Sequence, residues 1–182
     1  ARDGTDEMNR PVENISGYDC IDFLNVLSRL EGLEECYSFA NGKWTCDFSK
    51  NGYRLPTLPE WEYAARGGSL SKGYKYSGSN RLSEVGWYDE ISGGHAHQVG
   101  LLNPNELGLY DMSGNVYEWC WDWYGSISSG TVASGPASGS GRCLRGGSWN
   151  LSANYAQVSF RGGYNPSDRN NRYGFRVVRT AK

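Results

Sequence analysis

No apolar run in this 182-residue chain approaches the roughly 18 residues that a membrane-crossing helix needs, which excludes a helical span within it. The first residues, ARDGTDEMNR, have no apolar signal core, so any export or anchoring signal is expected upstream of them. No long basic run occurs and the net charge is -2, which removes nucleic acid and anionic membrane surfaces from the classes of partner. No C-x-x-C pair is present either. The five cysteines, Cys20, Cys36, Cys46, Cys120 and Cys143, are scattered, and an odd number cannot pair completely within the chain. Cys36 and Cys46 bracket a short polar loop and are read either as a bridge or as free buried thiols. The most selective absence lies near the C-terminus: from Asn150 to Tyr173 there is no Lys, Glu, Met or Trp, and Gln occurs only at Gln157.

That stretch is built instead from Asn, Ser, Gly, Arg and Tyr. An Asn codon with its two leading adenines randomised reaches Tyr, Ser, Gly, Arg, Asp, Leu, Phe and Val but never Lys, Glu, Gln, Met or Trp. Physically the same palette suits a contact surface. Tyr offers broad amphipathic area with little rotamer freedom, while Ser, Gly and Asn offer adaptable hydrogen bonds. A polar, glycine-rich loop without a partner would share much of this composition. The flanks, Arg145 to Trp149 and Tyr173 to Thr180, mix aromatic and β-branched residues with Arg and are predicted as strands that pin both ends.

The remainder reads as one domain's worth of scaffold. Seven Trp, 13 Tyr and 5 Phe exclude disorder, and 25 Gly imply many turns and few long regular elements. Ser16 and Asp19 predict a capped helix with Ile21, Leu24 and Leu27 on its buried stripe and Gly32 as its stop. Asn41-Gly42 predicts a type I′ hairpin turn. Thr57 and Glu60 form a second capping box, with Pro59 in the first turn, Trp61, Ala64 and Ala65 facing inward and Gly67 closing the helix. Residues 69 to 106 are expected as an ordered, irregular excursion tacked down by Tyr74, Tyr76, Trp87 and Tyr88. Alternation places Tyr117, Trp119, Trp121 and Trp123 on one strand face, which predicts a core rather than a stacking platform. Ser126 to Gly141 reads as a flexible connection. His95 and His97 have no third ligand at structural spacing and read as a solvated loop.

At YRLPTLPEWEYAARGG, GLYDMSGNVYEWCWDWY, RCLRGGSW and GFRVVR the sequence resembles the formylglycine-generating-enzyme (sulfatase-modifying factor) family, a variant of the C-type lectin fold. The resemblance spans residues 10 to 180. It implies an α+β fold with two helices, short antiparallel strands and much irregular loop. It also implies a single domain over residues 1–182, N-terminally incomplete because the strands that normally precede the first helix are mostly missing. Enzymes of this family oxidise a cysteine with copper held by two cysteines just after the GGS-aromatic motif. Aligned on Gly146, Gly147, Ser148 and Trp149, those two positions hold Leu151 and Ala156, which cannot ligate a soft metal.

The Asn-accessible palette just before GFRVVR is similar to the variable proteins of diversity-generating retroelements, of the treponemal type, in which altered C-terminal residues form a ligand-binding face. The resemblance makes residues 150–173 a hypervariable segment. Its variable positions are Leu151, Ser152, Asn154, Tyr155, Phe160, Gly162, Gly163, Tyr164, Asn165, Asp168, Asn170, Asn171, Arg172 and Tyr173. Trp149, Gln157, Val158, Pro166, Phe175 and Arg176 read as framework, and Asn150, Ser159 and Ser167 as either. Asp111, Gly114, Val116 and Glu118 match the spacing at which relatives bind calcium, although Glu118 reads equally well as a buried acceptor. The expected function is a non-enzymatic receptor or adhesin domain at the cell surface or outside the cell, with a macromolecular, protein-type ligand and no required cofactor. Rival readings are a cysteine oxidase with a relocated site and a calcium-dependent lectin.

Overall fold

The structure, a computed structural model, describes residues 7–127 and 136–180. Residues 1–6 of the polar N-terminus, residues 128–135 of the expected flexible connection and residues 181–182 lie outside the described residues.

Helix α1 (Gly17–Leu30) begins where the sequence places it. The Asp19 amide donates to the Ser16 hydroxyl at 3.1 Å and the Ser16 amide donates to the Asp19 carboxylate at 2.9 Å, so each satisfies an otherwise orphaned group. Its inward stripe differs from the expected one. Ile21 and Leu24 face the core as expected, but Leu27 is half-buried and Cys20, Asn25 and Ser28 complete the stripe. Asn25 belongs there because it is fully used: its amide donates to the Tyr37 carbonyl at 2.9 Å and its oxygen accepts from the Tyr37 amide at 3.1 Å. That pair locks α1 onto β1 (Tyr37–Ala40), which forms a hairpin with β2 (Lys43–Cys46). Asn41 at φ 53 and Gly42 at φ 71 supply the two positive dihedrals of the predicted type I′ turn. The register pairs Tyr37 with Cys46, leaving Cys36 one step out, so the two thiols are not a cross-strand pair and both are free.

Helix α2 (Leu58–Ala65) carries the second capping box, and Glu60 also receives a bidentate Arg54 at 2.7 Å on each oxygen. Between α2 and the central sheet the chain has only two short 3-10 turns and loops, as the lack of periodicity implies, with Tyr76 and Tyr88 buried and Tyr74 and Trp87 half-buried. His97 is not a freely solvated loop residue. It stacks on Trp87 at 3.8 Å, and its Nε2 lies 2.7 Å from the Ser92 carbonyl.

The central sheet has the order β6-β5-β4-β7, with β4 (Tyr117–Trp123), β5 (Arg142–Arg145), β6 (Gly162–Tyr164) and β7 (Tyr173–Gly174). Its pairs are antiparallel except β4 with β7, which run parallel because the chain crosses from β6 at one edge of the sheet to β7 at the other through residues 165–172. A two-residue pair, β3 (Tyr53–Arg54) with β8 (Val178–Arg179), closes the C-terminus onto the segment between the helices. The predicted flanking strands are therefore displaced. The upstream one ends at Arg145 because Gly146 and Gly147 adopt φ 91 and 75, which turns the chain out of the sheet. The downstream one splits into β7 and β8 in two sheets.

Strand β4 is buried on both faces. Tyr117 and Trp119 pack with Ile21, Leu24 and Leu144 beneath α1, whereas Cys120 packs with Trp61 and Met112 beneath α2. The expected aromatic core holds for Tyr117 and Trp119. Trp121 and Trp123 are half-buried at the far end of the strand.

Candidate ligand-binding face

The site rests on a bed of seven consecutive buried residues, 142–148. Arg145 is its clamp. Fully buried, it donates to the Val158 carbonyl at 2.8 Å and to the Phe160 carbonyl, pairs with Glu62 of α2 at 2.5 Å and lies 4.8 Å from the Trp61 ring. One guanidinium thus fastens two carbonyls of the 150–173 segment to a helix. Past Gly147 the chain makes a 3-10 turn over Ala153–Ala156, seated so closely that a Cβ at Gly147 would come within 2.9 Å of the Ala156 Cα. Asn115, buried at φ 63, accepts the Trp149 amide on its carbonyl at 2.8 Å and grips both backbone groups of His97 with its side chain.

Ser152, Asn154, Gly163, Asn165, Asp168 and Asn171 are exposed, and Tyr155 is 39% exposed with its ring edge-to-face on Phe160 at 4.9 Å. Leu151, Phe160, Gly162, Tyr164, Asn170 and Arg172 are half-buried, the first two and Tyr164 resting on the core under α1. Asn165 and Asp168 sit on a turn held to the N-terminus of α1, where Arg169 meets Asp19 at 2.6 Å and the Pro166 carbonyl accepts from Tyr18.

Tyr173 overturns its assignment as a surface position. It is 3% exposed, pairs with Tyr117 in the sheet and stands edge-on to Trp119 at 5.5 Å. The reason is β7: a residue that enters a sheet beside its central strand must send its side chain into one of two buried layers. Gly163 is exposed but constrained, since a Cβ there would run into the Tyr124 ring. Among framework assignments Val158 and Pro166 are buried, while Trp149 is only half-buried, its Nε1 donating to the Asn171 carbonyl at 3.2 Å.

Tyr117 is a member of the site that pattern reading leaves in the core. Burial and the neighbouring Tyr164 and Tyr155 push its phenol well up, and its hydroxyl has no hydrogen-bond partner. It lies 6.0 Å from the Tyr164 ring. Alternation signals that Tyr117 points inward but carries no information that its hydroxyl ends beneath the segment.

Of the set Asp111, Gly114, Val116 and Glu118, the two carboxylates lie within electrostatic reach of each other and of Arg176. Both Glu118 oxygens are taken, by Arg176 at 2.6 Å each and by the Trp61 indole at 2.6 Å, so a cation would have to compete with a half-buried guanidinium. Asp111 accepts from the Gly100 amide at 2.8 Å, and burial raises its carboxyl above the usual range. Glu118 is a buried acceptor, though of side-chain rather than backbone donors.

Copper fits no better. Ala156 is buried among Tyr76, Leu82, Val85 and Tyr88, and Leu151 is half-buried; neither offers a donor atom. Burial pushes the thiols up, Cys143 to about 11 and Cys46 to about 12, away from the thiolate that a soft metal requires. Among the described residues no three His, Cys, Asp or Glu side chains gather as a metal cluster.

This architecture is that of a known family. The sulfatase-modifying factor enzyme 1-like domain matches residues 2–181, and the chain belongs to that family, with the formylglycine-generating-enzyme subtype of the C-type lectin-like α+β fold. Within it, the chain is an FGE-like variable protein in fold: it superposes on Treponema denticola variable protein 1 with a TM-score of 0.87 at 39% identity, covering 97% of this chain and 74% of that one. It is 36% identical over 203 residues to chaperone protein LppX of Paenibacillus barcinonensis, covering 94% of this chain and 70% of LppX. It is also 35% identical over 151 residues to the formylglycine-generating enzyme of Streptomyces coelicolor, covering 71% of this chain and 48% of the enzyme, so it spans about half of that relative's length.

Proposed function

We propose that this chain is a non-enzymatic binding domain whose segment 150–173 presents a diversifiable face to a protein ligand, at the cell surface or outside the cell. The observation that carries the reading is the contrast in burial across one junction. Residues 142–148 are all buried, whereas the segment they clamp leaves every candidate position but Tyr173 exposed or half-exposed. Rigid scaffold and replaceable surface is the division of labour by which loops carry function. The likeness to a variable protein supports it, and the loss of both donor atoms at Leu151 and Ala156 supports the absence of copper-dependent cysteine oxidation.

The test is a pair of displayed libraries. One randomises Ser152, Asn154, Tyr155, Asn165, Asp168 and Asn171, and the other randomises Cys143, Leu144, Arg145, Val158, Pro166 and Tyr173. The first is expected to keep most clones folded and to yield clones selected against unrelated proteins; the second is expected to lose folding in nearly all. Equal losses in both would overturn the reading. Formylglycine formed above background on a cysteine-containing sulfatase-type peptide with copper would overturn its non-enzymatic half.

A further inference from the structure

A second site is built where β5 begins, at Arg142. A cleft of about 500 Å³ opens between α1, the β1–β2 hairpin and the end of β4, lined among others by Tyr18, Asp22, Lys43, Trp44, Trp123 and Arg142. None of its lining belongs to residues 150–173. Arg142 is its unusual member. Only 2% exposed, the guanidinium lies between two indoles, 3.8 Å from the Trp121 ring and 4.1 Å from that of Trp123. Nη1 donates to the Trp121 carbonyl, Nε has no partner, and no carboxylate of the described residues forms an ion pair with it.

Among the described residues the other arginines so deeply buried, Arg54 and Arg145, each meet a glutamate. Asp122 acts on Arg142 only from beyond ion-pair distance; a buried cation without a paired carboxylate is costly, and stacking on indoles offsets only part of that cost. Burial pulls Arg142 down to about 10, which leaves it charged at neutral pH. Among the lining residues Lys43 adds a second cation, Asp22 an acceptor, and Trp44 and Trp123 two aromatic surfaces.

We propose that this cleft binds a small organic carboxylate with an apolar or ring-shaped body, its carboxylate held by Arg142 and Lys43 and its body against Trp44 and Trp123. The anion supplies the counter-charge that the fold omits, and the indoles supply the contact area that a bare inorganic ion could not use. Two sources share this chemistry, an acidic sugar and a carboxylate-terminated aromatic residue. The experiment therefore titrates glucuronate and N-acetylphenylalaninate separately, each against its neutral counterpart, glucose and N-acetylphenylalaninamide, with indole N–H shifts followed by NMR.

Saturable shifts at Trp44 and Trp123 with at least one carboxylate are expected, with the neutral counterpart at least about tenfold weaker. Whichever carboxylate saturates identifies the source. Arg142→Gln should abolish binding. Because that variant removes a buried stack and can fail to fold, Lys43→Glu on the exposed hairpin serves as the second variant and should weaken binding about tenfold while leaving the melting temperature unchanged. Equal binding of a neutral counterpart, no saturation by about 10 mM of either carboxylate, shifts confined to Trp149, or a folded Lys43→Glu protein with undiminished affinity would each overturn the proposal. None of these outcomes bears on the 150–173 face, whose own test is the pair of libraries.

Discussion

Residues 142–148 and residues 150–173 adjoin in the chain and share a taste for Arg, Gly and Ser, yet they behave as opposites. The first run is wholly buried; the second is buried only at Ala156, Val158, Pro166 and Tyr173. Arginine shows the difference most clearly. Arg145 spends its donors inside on Glu62 and on two carbonyls of the segment, whereas Arg169 reaches across the surface to Asp19 with its side chain 60% exposed. The lesson is that the polar character of a residue does not assign it to a face. What assigns it is which neighbours the backbone path brings around it.

The comparison would break first at its core. Trp119→Ala should destabilise by roughly 3 to 5 kcal/mol, and Tyr173→Ser by a comparable amount, since both side chains fill the same buried layer. Denaturant unfolding of each variant is the measurement, and a Tyr173→Ser protein that unfolds like wild type would return Tyr173 to the face. Arg176→Ala should come next, at about 3 kcal/mol, because it strands the Glu118 carboxylate among buried groups. In the intact protein, calcium should leave the melting temperature unmoved; a calcium-dependent rise would mean that Glu118 exchanges its guanidinium for the ion.

Smaller effects sharpen the boundary. Tyr164→Ser should fall between core and face because its ring is half-buried, 5.2 Å from that of Tyr173. Arg169→Ala should cost little, as the loss of an exposed pair does, and less again in high salt. Its pH dependence has a definite sign. The Arg169 guanidinium beside Asp19, helped by donors from Ser16, holds that carboxyl well below its usual range. The contribution is therefore complete above the ordinary carboxylate pKa near 4 and fades as pH falls below it. A wild-type-to-variant difference that grew on acidification would contradict the pairing. Smallest of all, Tyr155→Ser and Asn171→Ser should each shift stability by less than about 0.5 kcal/mol, and a larger loss would show that the face is structural.

Local chemistry was readable directly from residue order. Both capping boxes, the Asn41-Gly42 turn and the replacement of both expected cysteines by Leu151 and Ala156 depend on side chains within a few positions of one another, so their spacing alone specifies them. The family and the unusual palette of residues 150–173 were legible for the same reason. Tertiary structure decided what spacing cannot encode. Tyr173 is buried because β7 enters parallel to β4, a pairing across 56 residues. Glu118 serves as counter-ion to Arg176 because three parts of the chain bring Trp61, Glu118 and Arg176 to one point. Arg142 has no acid within ion-pair distance because of where β5 begins, beside the end of β4. Each of these is a long-range coincidence of backbone paths, and a side chain's chemistry depends on which neighbours those paths deliver.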